Sequence, residues 1–201
     1  MSLGADYVCW QQYFTRTLDM LYAGKQVFLT KSLFVEFLNN PKLAWWHIHD
    51  KDTYQVIQDE LHAGMDGAVV GQTVEDMVLA SFVDTEVTTI DTTNMRQSRH
   101  MIYHNRTIKV ISKSPKIVYQ PSFVVDDIFV KCDMLVQNEA GTYDLIEVKA
   151  KNSIRKSTKA APLLEDLVAD LSIQRRALER ALGEQFSGRC RIAYLNKEYV
   201  R

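Results

Sequence analysis

The chain has 201 residues, 46% of them hydrophobic, and its 24 Lys/Arg against 25 Asp/Glu leave a formal net charge of −1. That is enough apolar content to bury a core as one domain, spanning 1–201. No apolar run reaches the ~18 residues that cross a bilayer, so no membrane is implied. Cys9, Cys132 and Cys190 are far apart and unpaired in pattern, which points to a reducing cytoplasm rather than a disulfide scaffold. Met1-Ser2-Leu3 reads as a leader sequence, and no signal peptide or internal repeat is visible.

Residues 5–22 have a helical stripe of Tyr7, Trp10, Phe14 and Leu18. Thr30 or Ser32 is placed to cap a helix carrying Leu33, Phe34, Phe37 and Leu38, ending before Pro41. The pattern predicts two further helices over 53–63 and 68–83, divided by Gly64 and Gly67, and another over 94–104. The period then changes from helical to alternating, with strands over 116–120 and 122–125. A hairpin follows over 128–137 and 143–150, with its turn in Gln137–Thr142. A long helix over 163–182 stops at Gly183, and a last strand covers 189–196. The reading is an α/β (α+β) fold. A helical part over 1–105 packs on a small mixed sheet within a sheet–helix–strand core over 116–201.

The hairpin holds the chemistry. A turn centred near Ala140 places Asp133 opposite Glu147, where facing Cβ atoms lie about 4.5–5.5 Å apart. Lys149 projects from the same face as Glu147. The other face is expected to be apolar: Val130, Cys132, Met134 and Val136 against Ile146, Val148 and Ala150. Two close carboxylates repel unless a cation lies between them. Mg²⁺ or Mn²⁺, hard ions that prefer oxygen ligands, suit such a pair, and Lys149 can orient a water or steady developing negative charge. A hairpin whose Lys149 merely neutralises Glu147 has the same pattern.

Asp133 followed by Glu147-Val148-Lys149 resembles the PD-(D/E)xK nuclease superfamily, closest to its RecB-like exonuclease branch, which includes the CRISPR-associated exonucleases. The resemblance covers most of 28–201. Leu29-Thr30-Lys31-Ser32 through Asn40-Pro41-Lys42-Leu43-Ala44-Trp45 is similar to the opening helix and its Cys-Pro turn. Gly71-Gln72-Thr73-Val74-Glu75 is similar to the helix with the first acidic or His residue. Asp170-Leu171-Ser172-Ile173-Gln174 is similar to the helix with a Gln. Leu195–Val200 is similar to the closing strand.

The resemblance implies a restriction-endonuclease-like core and an Mg²⁺- or Mn²⁺-dependent deoxyribonuclease, exonuclease-like, in DNA repair, recombination or defence. Asp133, Glu147, Lys149 and Gln174 would be catalytic, and Asp133, Glu147, Val148 and Glu75 would hold metal. Asn40 stands where many relatives have an iron–sulfur cysteine, and Cys9, Cys132 and Cys190 lack ligand spacing, so no iron–sulfur cluster is expected. Leu178 stands where relatives often have Tyr, which counts against a DNA contact at that position.

Residues 149–201 hold twelve Lys/Arg against six Asp/Glu, so this segment is +6 and the remainder −7. A basic zone beside the hairpin suits a polyanion. Lys151, Arg155, Lys156 and Lys159 are the DNA-binding candidates, for DNA that is single-stranded or has free ends. A further domain or protein partner is also compatible with the chain's end at Arg201.

Gln174 falls on the apolar stripe of Leu164, Leu167, Leu171, Leu178 and Leu182, so its amide needs a partner: a metal ligand or water, or a backbone carbonyl. Glu75 is either a third carboxylate of the site or a solvated helix acid. His100 and His104 have the i, i+4 spacing of a zinc pair but lack the His-Glu-x-x-His context. Trp45-Trp46 is either a base-stacking platform or packing. The second functional class is a non-catalytic relative that binds nucleic acid or protein on the same fold.

Overall fold

The computed structural model describes residues 28–62, 67–92, 99–150 and 165–194. Among these the protein is α+β, with six α-helices and two mixed sheets. Chain order is β1 (Leu29–Thr30), α1 (Lys31–Asn39), α2 (Pro41–His49), α3 (Lys51–His62), α4 (Gly67–Ala80), β2 (Val87–Thr89) and α5 (His100–Ile111). Then come β3 (Ile117–Tyr119), β4 (Ser122–Val125), β5 (Ile128–Lys131), β6 (Met134–Gln137), β7 (Tyr143–Lys149), α6 (Glu165–Leu182) and β8 (Phe186–Tyr194).

The larger sheet runs β2-β3-β6-β7-β8, and the smaller runs β1-β5-β4. β7 and β8 are parallel neighbours. Parallel neighbours need a crossover connection, and α6 lies in it. This is how the buried stripe of α6 comes to lie against the sheet.

The hairpin expected over 128–150 divides. Its first arm breaks at Cys132-Asp133 into β5 and β6, which belong to different sheets. The expected two-faced pattern changes as a result. Val130 and Cys132 join the same core as Leu135 and Leu145, whereas Met134 and Val148 pack with Val74 and Tyr119 on the other side. Both faces of β6–β7 are therefore apolar. The carboxylates sit where one of those faces ends. Burying a Leu such as Leu135 or Leu145 contributes about 1.5–3 kcal/mol, and both are fully buried.

Thr30 is the cap chosen for α1: its hydroxyl accepts from the Leu33 amide at 3.2 Å. The chain does not turn irregularly at Pro41. Asn40 caps a second helix by accepting from the Leu43 amide at 3.1 Å, with Pro41 at its first position. Proline is suited there because the first helical N–H has no intrahelical partner anyway. The helix expected over 94–104 instead runs His100–Ile111, burying Tyr103, Thr107 and Ile111 at four-residue steps. The final strand begins at Phe186, three residues before the expected start. The predicted helix over 5–22 lies outside the described residues. No described helix is long and apolar enough to cross a membrane.

A candidate active site at the β6–β7 end

The register of the site is set by a turn. Asn138 Oδ1 accepts from the amides of Ala140 and Thr142 at 3.0 and 3.2 Å, and Gly141 takes a φ of +82°, which only glycine adopts without strain. The strands then pair Met134 with Ile146 and Leu135 with Leu145. One step further along, Asp133 lies opposite Glu147. Asp133 Oδ2 accepts the Val148 backbone N–H at 2.7 Å.

Glu147 is 1% exposed and takes three donors: Lys149 Nζ at 2.6 Å and Lys31 Nζ at 3.0 Å on Oε1, and Gln174 Nε2 at 2.8 Å on Oε2. Asp170 shares the same neighbours. It accepts from Lys149 Nζ at 2.6 Å and Gln174 Nε2 at 2.8 Å, and Lys31 Nζ lies 3.7 Å away. Asp170 and Gln174 are consecutive members of the α6 stripe, one turn apart, both buried. Lys31 enters because it is the first residue of α1, directly after β1. The N-terminus of α1 adds its own partial positive charge to this end of the sheet.

The electrostatics follow from burial and charge together. Burial first, then the Glu147 carboxylate, pushes the Asp133 carboxyl up to about 7, against the opposing pull of Lys31 and the Val148 amide. Burial alone would lower Lys149, but Glu147 and Asp170 overcome it and hold the ammonium above its ordinary value. Lys31 behaves the same way, lowered by burial and raised further by Glu147, Asp170 and Asp133. Asp170 is raised by burial and lowered more strongly by Lys31 and Lys149, so it stays below the usual carboxylate range.

Among the sequence candidates, Asp133, Glu147, Lys149 and Gln174 come together. Glu75, on α4, is half-buried and accepts from the Tyr119 hydroxyl at 2.6 Å. Its charge is felt by Asp133. Val148 points its side chain into the apolar cluster, so its backbone carbonyl is what it offers to a ligand. Lys151, Arg155, Lys156 and Lys159 lie outside the described residues. The histidine pair does not converge on a common point: His104 Nδ1 accepts from the Val124 amide at 3.2 Å, while His100 stacks on Phe129 at 3.7 Å. Trp45 is 46% exposed and stacks on His49 of its own helix.

Lys31 and Asp170 escaped the sequence reading. Asp170 had a signal: it precedes Gln174 by four residues, so it shares the buried face that singled out Gln174. Lys31 had none, because it reaches Glu147 across 116 positions of sequence.

Two observations bear on whether these residues could hold a cation. Asp133 is a half-buried carboxyl whose ionisation is opposed first by its partial burial and then by its neighbour Glu147, a situation that a bound cation would relieve. Gln174 Oε1 is buried without a hydrogen-bond partner, an acceptor that awaits a donor such as water. Among the described residues, no three His, Cys, Asp or Glu side chains are grouped as a ready-made metal site. A cleft of about 580 Å³ opens beside the cluster, lined by Lys31, Ser32, Leu43, Lys149 and Asp170 among others.

Compared with known proteins, the chain matches no family model and no curated relative.

Proposed function

We propose that this chain is a divalent-metal-dependent deoxyribonuclease of the PD-(D/E)xK type, RecB-like and acting from DNA ends. The observation that carries the reading is the facing pair Asp133–Glu147 with Lys149 Nζ 2.6 Å from Glu147 Oε1. Asp133 and Glu147 would hold Mg²⁺ or Mn²⁺, with Glu75 and the Val148 carbonyl as further oxygen donors. Such an ion polarises a phosphoryl oxygen and lowers the pKa of a bound water.

The remaining roles belong to the chain's own groups. Lys149 is held protonated by Glu147 and Asp170, so it serves as a hydrogen-bond donor and positive charge rather than as a base. It orients the attacking water and steadies charge developing on the phosphoryl oxygens. Asp170 fixes the direction of that ammonium. Gln174 donates to Glu147 and Asp170 with the two hydrogens of one amide, which locks both carboxylates in orientation.

One observation favours a second reading, a non-catalytic nucleic-acid- or protein-binding module. Lys31, Lys149 and Gln174 already supply Glu147 with three donors, a network complete in itself. Incubation with labelled linear and circular DNA separates the two readings. The nuclease reading expects linear DNA to be degraded with Mg²⁺ or Mn²⁺, EDTA to stop it, and Glu147→Gln to remove it while the fold persists. Binding without metal-dependent cleavage supports the second reading.

A further inference from the structure

Lys31 is the second ammonium on Glu147 Oε1, and it is held differently from the first. Lys149 Nζ bridges Glu147 and Asp170 at 2.6 Å to each. Those two carboxylates also share the Gln174 amide. Lys31 Nζ makes one hydrogen bond to this network, to Glu147 at 3.0 Å, because Asp170 Oδ1 at 3.7 Å lies beyond hydrogen-bonding distance. An ammonium carries three donors, so Lys31 keeps donors to spare among the described residues. Its side chain is 24% exposed.

The exposed part of Lys31 lies on the cleft of about 580 Å³, which Lys149 also lines. Among the described residues, these two are the Lys and Arg members of that lining. Sharing Oε1 keeps their Nζ atoms within 5.6 Å of each other, the sum of the 3.0 and 2.6 Å contacts. Two ammoniums that close both reach oxygens of one phosphate at the ~2.7–2.9 Å of a charge-assisted hydrogen bond. The rest of the wall carries no further cation. Val35 and Asn39 follow on α1, and a rise of 1.5 Å per residue puts Asn39 about 12 Å along the helix from Lys31. Glu36, the acid on that wall, is engaged by His47 Nδ1, the Tyr54 hydroxyl and the Gln58 amide. The cleft therefore offers a cationic end and a longer wall of amides and apolar side chains, which suits one nucleotide with its phosphate at the lysine end. Its volume falls within the ~300–1,000 Å³ usual for small-ligand pockets.

We propose that Lys31 is a substrate-binding residue which, beside Lys149, grips the phosphate of a nucleotide lying in the cleft along α1. This rests on the nuclease reading and adds to it a phosphate contact that the Asp…Glu-x-Lys pattern does not contain. Such a contact releases counterions and contributes about 0.7 to the slope of log affinity against log salt for a single strand.

The test is binding of a fluorescent single-stranded phosphorothioate oligonucleotide in Ca²⁺ across a salt series, for wild type, Lys31→Met, Lys31→Arg and Lys109→Met. Circular dichroism confirms the fold of each variant, and cleavage of linear DNA by wild type in Mn²⁺ is measured alongside. Lys31→Met is expected to bind about tenfold more weakly and to lower the salt slope by roughly 0.7, the share of one phosphate contact. Lys31→Arg keeps the charge and should keep most of the slope. Lys109→Met, on the exposed side of α5, should match wild type.

A folded Lys31→Met with the wild-type slope means that Lys31 only balances Glu147, and it overturns the proposal while cleavage by wild type leaves the nuclease reading standing. A loss shared equally by Lys109→Met overturns it too. Should Lys31→Met not fold, a crystal structure of wild type with the same oligonucleotide in Ca²⁺ replaces it. Lys31 Nζ within about 3.2 Å of a phosphate oxygen supports the proposal, and a phosphate bound beyond that reach overturns it. A wild type that binds through Lys31 and never cleaves sinks the nuclease reading and leaves the phosphate contact in place.

Discussion

Asp133 shows what the site costs at the scale of single residues. Its carboxyl stands at about 7 in the folded protein, raised by burial and then by Glu147, whereas an exposed Asp titrates near 3.9. The folded state therefore binds more protons than the unfolded state between about pH 4 and 7, and this group's contribution to stability falls as pH rises through that window. Asp133→Asn keeps an oxygen to accept from the Val148 amide and removes the charge. It is expected to stabilise the metal-free protein by about 2–4 kcal/mol at pH 8, at 1.36 kcal/mol per pKa unit, with the gain gone near pH 4. Denaturant unfolding at the two pH values checks this; equal stability at pH 8 would show that neither burial nor Glu147 burdens the Asp133 carboxylate. Most of this residue set was legible in the sequence, because β-pairing about Ala140 and the misplaced amide of Gln174 are local patterns. Lys31 and Asp170 became visible only when distant strands and helices were brought together.

Caps and crossovers decide where the side chains point at the scale of elements. Asn40 illustrates the gap between pattern and fold. Read as a departure from a cysteine position, it turns out to hold the amide of Leu43 and start α2. Asn40→Ala should lower stability by about 0.5–2 kcal/mol, the usual worth of such a cap, with an unchanged denaturant slope. A shift of less than about 0.3 kcal/mol would mean that Pro41 and packing set the helix start without the cap. The α6 helix was legible from its period and its Gly183 stop, but the parallel pairing of β7 and β8 that it connects was not. The break between β5 and β6 was not, since an uninterrupted β-rich run gives no sign of which sheet each half joins. That break puts Asp133 in a bend rather than mid-strand, free to accept the Val148 amide across the pair.

The candidate site lies, at the scale of the whole molecule, where the larger sheet and α1, α4 and α6 meet, at the carboxyl end of β7. Ligands in sheets with parallel neighbours are commonly met at that end of the strands. The α+β class followed from the switch between helical and alternating periods along the chain. The division into two sheets did not, because β1 and β2 are two and three residues long and pair in parallel with strands far along the chain. Segments so short carry no period, and their pairing is decided by tertiary packing. The account as a whole rests on Lys149 acting on substrate rather than only balancing Glu147. The most direct measurement is the single-turnover cleavage rate of linear DNA in Mn²⁺ for wild type and for Lys149→Ala of confirmed fold. A loss of about 10²–10³-fold, the usual worth of a group that stabilises transition-state charge, is the predicted result. Equal rates, or no metal-dependent cleavage by wild type, would contradict it.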